Sequence, residues 1–302
     1  MADISRIERT LRKRLLHPIE ALASYAAFGL LKLLPLDLAS ALGGLLGRAI
    51  GPRLKVTATA RRNLRRAFPE KNDAEIEAII PAMWENIGRT AFEFPFLHRL
   101  RMYGGGAGDH VEVVGAEIID ALRQDGKPGI FFAGHLANWE VPALSVERRG
   151  LPIHLIYRAP NNRLVEALFR QRRPGVGELI PKGAPGARQA LRLLKAGGHL
   201  GILVDQKMND GVAAPFFGRD AMTAPALAQF ALKFNCPVVP VRAERLGGAR
   251  FRITHFPPID LPDSGDRRAD IAAIMTKVNA CLEEWVRERP EQWLWLHKRW
   301  PD

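Results

Sequence analysis

Cysteine is scarce in this sequence, since the 302 residues contain only Cys236 and Cys281. Neither has a second cysteine or a histidine at metal-ligand spacing, so we expect neither a zinc site nor a disulfide framework. We expect no cofactor either. The sequence also lacks a run of about 20 consecutive apolar residues, which is the length that a membrane-spanning helix requires. Its longest uncharged runs near the N-terminus, 21–31 and 38–47, are too short for a clean transmembrane span.

Several enzyme motifs are missing as well. There is no G-x-S-x-G, no complete G-x-G-x-x-G, no Walker A sequence and no H-E-x-x-H. The sequence therefore contains none of these signatures of a serine hydrolase, a dinucleotide-binding enzyme, an NTPase or a zinc protease. The glycine-rich segment 104–108 follows no predicted strand and is interpreted as a loop.

Positive charge is in excess, because 44 Lys and Arg against 32 Asp and Glu give a formal net charge of +12. Such a charge suits nucleic acid, an anionic membrane surface or an acidic partner. Basic residues cluster at 6–14 and again at 53–66, on either side of a mostly apolar stretch at 19–50. This placement favours a helical hairpin that lies in the cytoplasmic leaflet. A hairpin packed on the rest of the protein is the alternative. The sequence predicts two parts, an N-terminal anchoring segment at 1–52 and a catalytic domain at 53–302.

From residue 111 onward, strand-like and helix-like patterns alternate, which predicts an α/β fold with a largely parallel central sheet whose final strands turn antiparallel. A further helix is predicted at 73–94, with Asp73 as its N-cap and a kink or break at Pro81. The predicted strands are 111–114, 129–133, 153–158, 199–205, 238–244 and 250–256. The predicted helices that flank them are 162–172, 187–196, 224–234 and 269–287.

The most informative segment is 129–140, where an apolar strand runs into Gly134 and His135 before a helix begins. Ligands of open α/β sheets gather at the carboxyl ends of strands, which is where His135 would lie. Glu140 falls in the first helical turn, where the helix dipole favours an ionised carboxylate, and Asn138 falls near the helix cap. A histidine held by a carboxylate is the pair that general-base catalysis needs. A capping or core histidine is the other interpretation of this spacing.

The segment Gly-His-Leu-Ala-Asn-Trp-Glu at 134–140 resembles the H-x4-D/E motif of the lysophospholipid acyltransferase superfamily. It is most similar to the form found in bacterial lipid A biosynthesis acyltransferases of the lauroyl and myristoyl type. Other motifs of that family follow in the same order along nearly the whole chain, although Ala159 stands where the family usually has proline. These motifs are Asn63-Leu64 with Phe68-Pro69-Glu70, Tyr157-Arg158, Asp205-Gln206, Pro215-Phe216-Phe217-Gly218 and the Trp-rich segment 290–300.

The resemblance implies that a fatty acyl group passes from a thioester on acyl carrier protein to a hydroxyl of a phosphorylated lipid A precursor. It places this step at the cytoplasmic face of the cell inner membrane, in lipopolysaccharide biosynthesis. His135 would deprotonate the hydroxyl, and Glu140 would orient His135. Backbone amides near Gly134, helped by Arg173, would stabilise the oxyanion.

Other residues receive expected roles from the same resemblance. Asp205 would have an active-site role, with a buried structural ion pair as the alternative. Arg158 and Arg173 match the geometry of phosphate, and simple solvation of the surface is the alternative for them. Phe217 would line the acyl channel, or else pack as an ordinary core aromatic. The expected substrate contacts are Arg158, Asn138, Gln206 and Phe217.

Two alternative functions remain open at this point. The first is a related glycerolipid or phosphatidylinositol-mannoside acyltransferase that uses the same histidine and glutamate, although no Phe-Pro-Glu-Gly-Thr-Arg-like segment is present. The second is a non-catalytic basic protein that binds membrane or nucleic acid. No aromatic residues interleave with the basic cluster at 53–66, so we expect no nucleic-acid partner.

Overall fold

The computed structural model describes residues 16–157, 160, 162–171 and 177–300, and it is an α/β fold built on a seven-stranded sheet. The helices are α1 (His17–Leu31), α2 (Leu36–Ile50), α3 (Thr57–Ala67), α4 (Asp73–Glu93), α5 (Ala116–Gln124), α6 (Val141–Arg148), α7 (Arg163–Gln171), α8 (Ala184–Lys195), α9 (Ala226–Phe234) and α10 (Arg267–Glu288). The strands are β1 (Val111–Val114), β2 (Gly129–Ala133), β3 (Ile153–Tyr157), β4 (Leu179–Pro181), β5 (His199–Leu203), β6 (Lys207–Phe216), β7 (Arg219–Thr223), β8 (Val238–Gly247) and β9 (Arg250–His255).

The strand order in the sheet is β1-β9-β8-β2-β5-β3-β4. Strands β8, β2, β5, β3 and β4 run parallel to one another, whereas β9 pairs antiparallel with β8 and parallel with β1. The prediction of a largely parallel sheet whose final strands turn antiparallel is therefore confirmed. The central strand β2 is buried at every position, because helices cover both faces of the sheet, and its sequence is accordingly a continuous apolar run.

Helix α2 lies directly against helix α4, and glycines make this close approach possible. A Cβ atom on Gly43 would lie 2.4 Å from the carbonyl oxygen of Gly88, and one on Gly47 would lie 2.2 Å from that of Trp84. Neither position has room for a side chain. The N-terminal helices nevertheless expose many large apolar side chains, including Leu22 at 72% and Leu33 at 79%.

Two details of helix α4 differ from the prediction. Its N-cap is Asn72, not Asp73, because Asn72 and Glu75 form a reciprocal capping box. The helix also continues through Pro81 without a break. Tertiary packing overrides the helix-breaking tendency of this proline, since Ile80 and Met83 on either side are fully buried in the core.

The sequence patterns also missed three strands. Strand β4 is only three residues long, and strands β6 and β7 form a separate antiparallel hairpin that directly follows the end of β5. The exposed first half of β6 carries Lys207 and Asp210, so it lacks the apolar run by which buried strands were predicted.

Across the part of the chain that the structure describes, no helix has both the length and the apolarity that would be needed to cross a bilayer.

Candidate active site

The loop 134–140 connects strand β2 to helix α6 at the carboxyl edge of the sheet. Gly134 has no room for a side chain, because a Cβ atom there would lie 2.8 Å from Leu282 Cδ2 and 3.3 Å from Asp205 Oδ2. Glycine at this position therefore lets the backbone pass close to the Asp205 carboxylate. His135 follows at once and emerges at the end of the sheet, as the sequence predicts.

The turn of this loop at Ala137 has a left-handed backbone, with φ of 49°. Helix α4 holds it from outside, since the Ala137 carbonyl accepts hydrogen bonds from Asn86 Nδ2 at 3.1 Å and from Thr90 Oγ1 at 2.9 Å. The Ala137 amide donates to the Gln292 carbonyl at 2.9 Å. A buried network therefore fixes the backbone that presents His135.

His135 is held by Asp205, which lies just beyond the end of strand β5. The ring Nδ1 lies 2.7 Å from Asp205 Oδ1, and the His135 backbone amide donates to Asp205 Oδ2, also at 2.7 Å. The indole Nε1 of Trp293 donates a third hydrogen bond to Oδ2 at 2.7 Å. The parallel pairing of β2 with β5 brings these residues together, because both strands end at the same edge.

The Asp205 carboxyl is ionised in this environment. Its complete burial opposes ionisation, but the positive charge that His135 carries when its ring is protonated, two hydrogen bonds from His135 and one from Trp293 outweigh it and hold the pKa below its ordinary value. An ionised carboxylate only accepts hydrogen bonds, so His135 Nδ1 carries the proton in the neutral ring. The lone pair of the ring is then on Nε2, which is the arrangement of a general base.

Glu140 is the N-cap residue of helix α6 and lines the same cavity as His135. The sequence predicts that Glu140 orients the His135 ring. In the structure, the carboxylate that contacts Nδ1 of His135 is that of Asp205. That Glu140 also orients His135 stays a prediction. Asn138 is fully buried, and it donates to Glu93 Oε2 at 2.9 Å and accepts from the Glu140 amide at 3.2 Å. These contacts make Asn138 a support of the loop.

A buried ion pair lies behind Asn138. Both carboxylate oxygens of Glu93 contact the guanidinium of Arg245, Oε1 at 2.5 Å and Oε2 at 3.0 Å. Ser40 on helix α2 donates to Glu93 Oε1 at 2.6 Å. Because Arg245 also donates to Asn86 at 2.8 Å, this pair joins helices α2 and α4, strand β8 and the His135 loop into one network.

Gln206 lies beside Nε2 of His135 and links it to two further polar side chains. Gln206 Nε2 is 3.5 Å from His135 Nε2 and 3.2 Å from His297 Nε2, while its Oε1 accepts from Lys182 Nζ at 2.9 Å. Burial, together with the charge that His135 carries when protonated, lowers the pKa of His297, so this second ring is neutral at pH 7. Sequence analysis found Gln206 but not Lys182 or His297.

A cavity of about 270 Å³ opens beside His135, between the sheet and helix α6. Its inner wall is apolar and includes Ala143, Ile153, Leu155, Gly201 and Leu203. Its polar lining includes His135, Glu140, Glu166, Lys182 and Gln206. An apolar pocket with a few polar groups at one end is the usual form of a site for a small, largely apolar ligand.

Phe217 does not reach this cavity. It is buried in an aromatic cluster, with ring centroids 5.3 Å from Phe68, 6.2 Å from Trp295 and 6.3 Å from Trp300, and it is absent from the described lining residues. Phe217 is therefore placed as a core aromatic, which is the second of the two roles expected for it. The predictions for Arg158 and Arg173 lie outside the described residues.

Backbone amides near Gly134 were expected to stabilise an oxyanion, but several of them are already bonded within the protein. In each case a backbone N–H donates to an oxygen of the protein. The pairs, donor first, are His135 and the Asp205 carboxylate, Leu136 and the Gly134 carbonyl, Ala137 and the Gln292 carbonyl, Glu140 and the Asn138 side chain, and Val141 and the Asn138 carbonyl. Amides that stabilise the loop in this way are not directed at a substrate, so these five do not form an oxyanion hole. Within the described ranges, no group of three or more His, Cys, Asp or Glu residues is placed to hold a metal ion.

The sequence is similar to known proteins along most of its length. A family model described as bacterial lipid A biosynthesis acyltransferase matches residues 9–302. The lipid A biosynthesis myristoyltransferase of Escherichia coli (strain K12) is 25% identical over 240 residues, which cover 78% of this chain and 72% of that protein. Lipid A biosynthesis acyltransferase 2 of Shigella flexneri is 23% identical over 269 residues, which cover 84% of this chain and 80% of that protein.

The lipid A biosynthesis acyltransferase of Haemophilus influenzae (strain ATCC 51907 / DSM 11121 / KW20 / Rd) is 25% identical over 259 residues, with 80% of this chain and 76% of that protein covered. The match of the family model spans the whole sheet, the His135 loop and the C-terminal segment that carries Trp293 and His297. The chain is an acyltransferase, and it belongs to the bacterial lipid A biosynthesis acyltransferase family.

Proposed function

We propose that this enzyme transfers a fatty acyl chain from an acyl carrier protein thioester to a hydroxyl group of a phosphorylated lipid A precursor. The observation that carries the proposal is the pair His135 and Asp205, joined at 2.7 Å beside an apolar cavity of about 270 Å³. The names of the relatives, which are lipid A biosynthesis acyltransferases, support this acceptor.

In the proposed reaction, Nε2 of His135 takes the proton of the acceptor hydroxyl as its oxygen attacks the thioester carbonyl. Asp205 stabilises the imidazolium and keeps the ring in the required tautomer. The new C–O bond forms, the C–S bond breaks, and the proton passes from His135 to the leaving sulfur. Glu140 is retained as a second carboxylate of the site that helps to orient His135, and Arg158 and Arg173 are retained as phosphate contacts.

The charge of the protein supports a carrier-protein donor. Helix α3 carries four arginines within 11 residues, and two of them, Arg61 and Arg65, pair with acids on helix α4. The net charge of +12 leaves a large positive excess over the whole chain. Complementary charge raises the encounter rate with an acidic partner at low salt, so we expect transfer from the carrier protein to slow as ionic strength rises.

We also propose that the enzyme works at the cytoplasmic face of the inner membrane. Thirteen large apolar side chains between residues 16 and 56 are exposed, and basic residues accompany them at Arg48, Arg53 and Lys55. Helix α1 contacts the start of helix α7, since Asn162 Nδ2 donates to the His17 carbonyl at 2.8 Å, and Glu166 of α7 lines the cavity. A shallow anchor there would bring the cavity close to a lipid substrate.

The experiment that tests this function is product identification with purified enzyme. The enzyme is incubated with acyl carrier protein or coenzyme A thioesters and with an equimolar mixture of a lipid A precursor and a lysoglycerolipid. We expect one acyl chain to be added to the lipid A precursor, with the carrier-protein thioester as the faster donor. Exclusive acylation of the glycerolipid would show that the proposed acceptor is wrong, and preference for coenzyme A would show that the proposed donor is wrong.

A further inference from the structure

The carboxamide of Gln206 is held by three neighbours in a single orientation. Lys182 Nζ carries only hydrogen-bond donors, so the atom of Gln206 at 2.9 Å from it must be the oxygen. The amide nitrogen of Gln206 then faces the two histidines, at 3.2 Å from His297 Nε2 and 3.5 Å from His135 Nε2. Its two hydrogens are therefore directed at His297 and at the catalytic nitrogen.

This orientation agrees with the protonation states of both rings. Asp205 places the proton of His135 on Nδ1, so His135 Nε2 is an acceptor in the resting enzyme. The lowered pKa of His297 favours a neutral ring, and a neutral ring can accept at Nε2. The carboxamide thus satisfies both ring nitrogens as a donor, and the longer 3.5 Å contact to His135 is the weaker of the two.

The contact to His135 cannot survive the reaction. Once Nε2 of His135 has taken the hydroxyl proton, it becomes a donor, and two donors face each other across 3.5 Å. The Gln206 hydrogen must then find another acceptor close to the same nitrogen. The acceptor that forms at that moment is the oxyanion of the tetrahedral intermediate, because the attacked carbonyl lies beside the oxygen that His135 deprotonates.

Five backbone amides at this loop and the start of helix α6 do not supply this donor. Those of residues 135, 136, 137, 140 and 141 are bonded within the protein, whereas Gln206 and Lys182 both line the cavity. We propose that Gln206 is a catalytic residue whose side-chain amide donates to the thioester oxyanion, and that Lys182 and His297 are positioning residues that orient this amide. The thioester in this statement rests on the proposed function.

The step balances without a further reagent. The acceptor oxygen forms a bond to the thioester carbon while its proton moves to His135 Nε2, and the carbonyl electron pair becomes the oxyanion that Gln206 stabilises. When the oxyanion collapses, the C–S bond breaks and the sulfur takes the proton from His135. The carboxamide of Gln206 then returns to Nε2.

The test uses the full-length enzyme with two substitutions at Gln206. Gln206→Met keeps the length of the side chain without its N–H groups, and Gln206→Glu keeps its shape but offers only acceptors. We expect kcat to fall by about 10²- to 10³-fold in both variants, with KM changed little, because loss of one oxyanion donor acts on the transition state. Gln189→Met, on the surface of helix α8, is the matched control and is expected to keep the wild-type kcat.

Lys182 is tested as a positioning residue. We expect Lys182→Met to lower kcat, Lys182→Arg to restore most of it, and the double variant Lys182→Met/Gln206→Met to be no slower than Gln206→Met alone. Lys195→Met, an exposed lysine on the same helix α8, is the control for lost charge. Strictly additive losses in the double variant would show that Lys182 does not act through Gln206.

A spectroscopic readout separates this inference from the proposed function. In enzyme labelled with ¹⁵N-histidine, the Nε2 resonance of His135 should move toward that of an unbonded ring nitrogen in Gln206→Met, without any substrate present. Wild-type kcat in Gln206→Met, with whichever thioester the enzyme consumes, would overturn the inference and leave the proposed function intact. If the wild type consumes neither thioester, the proposed function fails, and an unmoved Nε2 resonance would then overturn the inference as well.

Discussion

Asp205 binds His135 through two different atoms, because one carboxylate oxygen contacts the ring Nδ1 and the other accepts from the backbone amide, each at 2.7 Å. This double attachment fixes both the tautomer of the ring and the position of the loop that carries it. The pair is formed by the ends of strands β2 and β5, which are neighbours in the sheet although 70 residues separate them in sequence.

The first prediction concerns this carboxylate. Asp205→Asn has nearly the same shape but no charge, so it no longer stabilises the imidazolium and no longer dictates which nitrogen is protonated. We expect kcat for acyl transfer to fall on the order of 10²- to 10⁴-fold while the enzyme stays folded. Asp210→Asn, an exposed residue on β6, serves as the control. A kcat equal to that of the wild type in Asp205→Asn would contradict this role.

The second prediction concerns the buried pair of Glu93 and Arg245. Glu93→Gln removes the only carboxylate among the contacts described for Arg245 and leaves its guanidinium buried and uncompensated, so we expect a loss of about 3–5 kcal/mol in the free energy of unfolding. Urea denaturation measures this loss. The exposed pair of Glu112 and Arg252 provides the control, since Glu112→Gln should cost no more than about 1 kcal/mol. Equal, small losses for both variants would contradict the network that supports the His135 loop.

The third prediction concerns His255, which is buried beneath helix α6 and contacts Ser145 Oγ at 3.0 Å. Burial lowers the pKa of His255 to about 4, so the unfolded chain binds a proton at higher pH than the folded protein does. The contribution of neutral His255 to the free energy of unfolding is therefore complete above about pH 6.5. It decreases by up to about 3 kcal/mol as the pH falls toward 4.

Unfolding free energies measured between pH 7 and pH 4 check this effect. We expect His255→Gln to reduce the slope of stability against pH, whereas His98→Gln at an exposed position should leave the slope unchanged. Burial also lowers the pKa of His199 and His297, so part of the slope remains in the His255 variant. A slope that His255→Gln does not alter would contradict the assignment.

The fourth prediction concerns the exposed apolar side chains near the N-terminus. Leu22→Glu and Leu33→Glu each replace a largely exposed leucine, and burial of one such side chain in lipid is worth about 1.5–3 kcal/mol. We expect each variant to bind vesicles of phosphatidylcholine and phosphatidylglycerol at least about tenfold more weakly in a flotation assay. Leu246→Glu, half exposed on strand β8, is the control. Unchanged binding of the first two variants would count against the anchoring proposal.

The fifth prediction concerns the length of the transferred chain. Ala143 on helix α6 lines the cavity, so Ala143→Leu should fill part of it. Because each methylene in an apolar pocket is worth about 1–3 kcal/mol in selectivity, we expect a shift toward donors that are shorter by two or more carbons. Mass spectrometry of products from a mixture of thioesters measures this shift, with Ala121→Leu on the exposed side of α5 as the control. The same chain-length profile in Ala143→Leu and wild type would mean that this cavity does not hold the acyl chain.

Much of the fold was accessible from the sequence, because strands such as β2 and β5 are buried on both faces and leave continuous apolar runs. The hairpin of β6 and β7 was missed, since an exposed antiparallel strand carries no such run. Helix α4 also continues through Pro81, where a break was one of the two predicted outcomes. Packing of the neighbouring core residues keeps this segment helical, although proline has a low helix propensity.

The sequence identified several residues of the site, among them Asp205 and Gln206 through the family resemblance, but it did not show which of them contact His135. The loop 134–140 identified His135 and Glu140 together, as a histidine and a carboxylate in one local motif. The residue at Nδ1 is Asp205, which is near only through the pairing of β2 with β5. Lys182 and His297 come from a helix-preceding loop and from the C-terminal segment, and no local pattern links either residue to His135.

The central claim is that the imidazole of His135 is the base of the acyl transfer reaction. The most direct test is the single-turnover rate of His135→Ala beside the wild type, with the carrier-protein thioester and the lipid A precursor, after thermal unfolding has shown that both are folded. We predict a rate that is lower by about 10²- to 10⁴-fold. A folded His135→Ala enzyme that transfers the acyl chain at the wild-type rate would contradict the account.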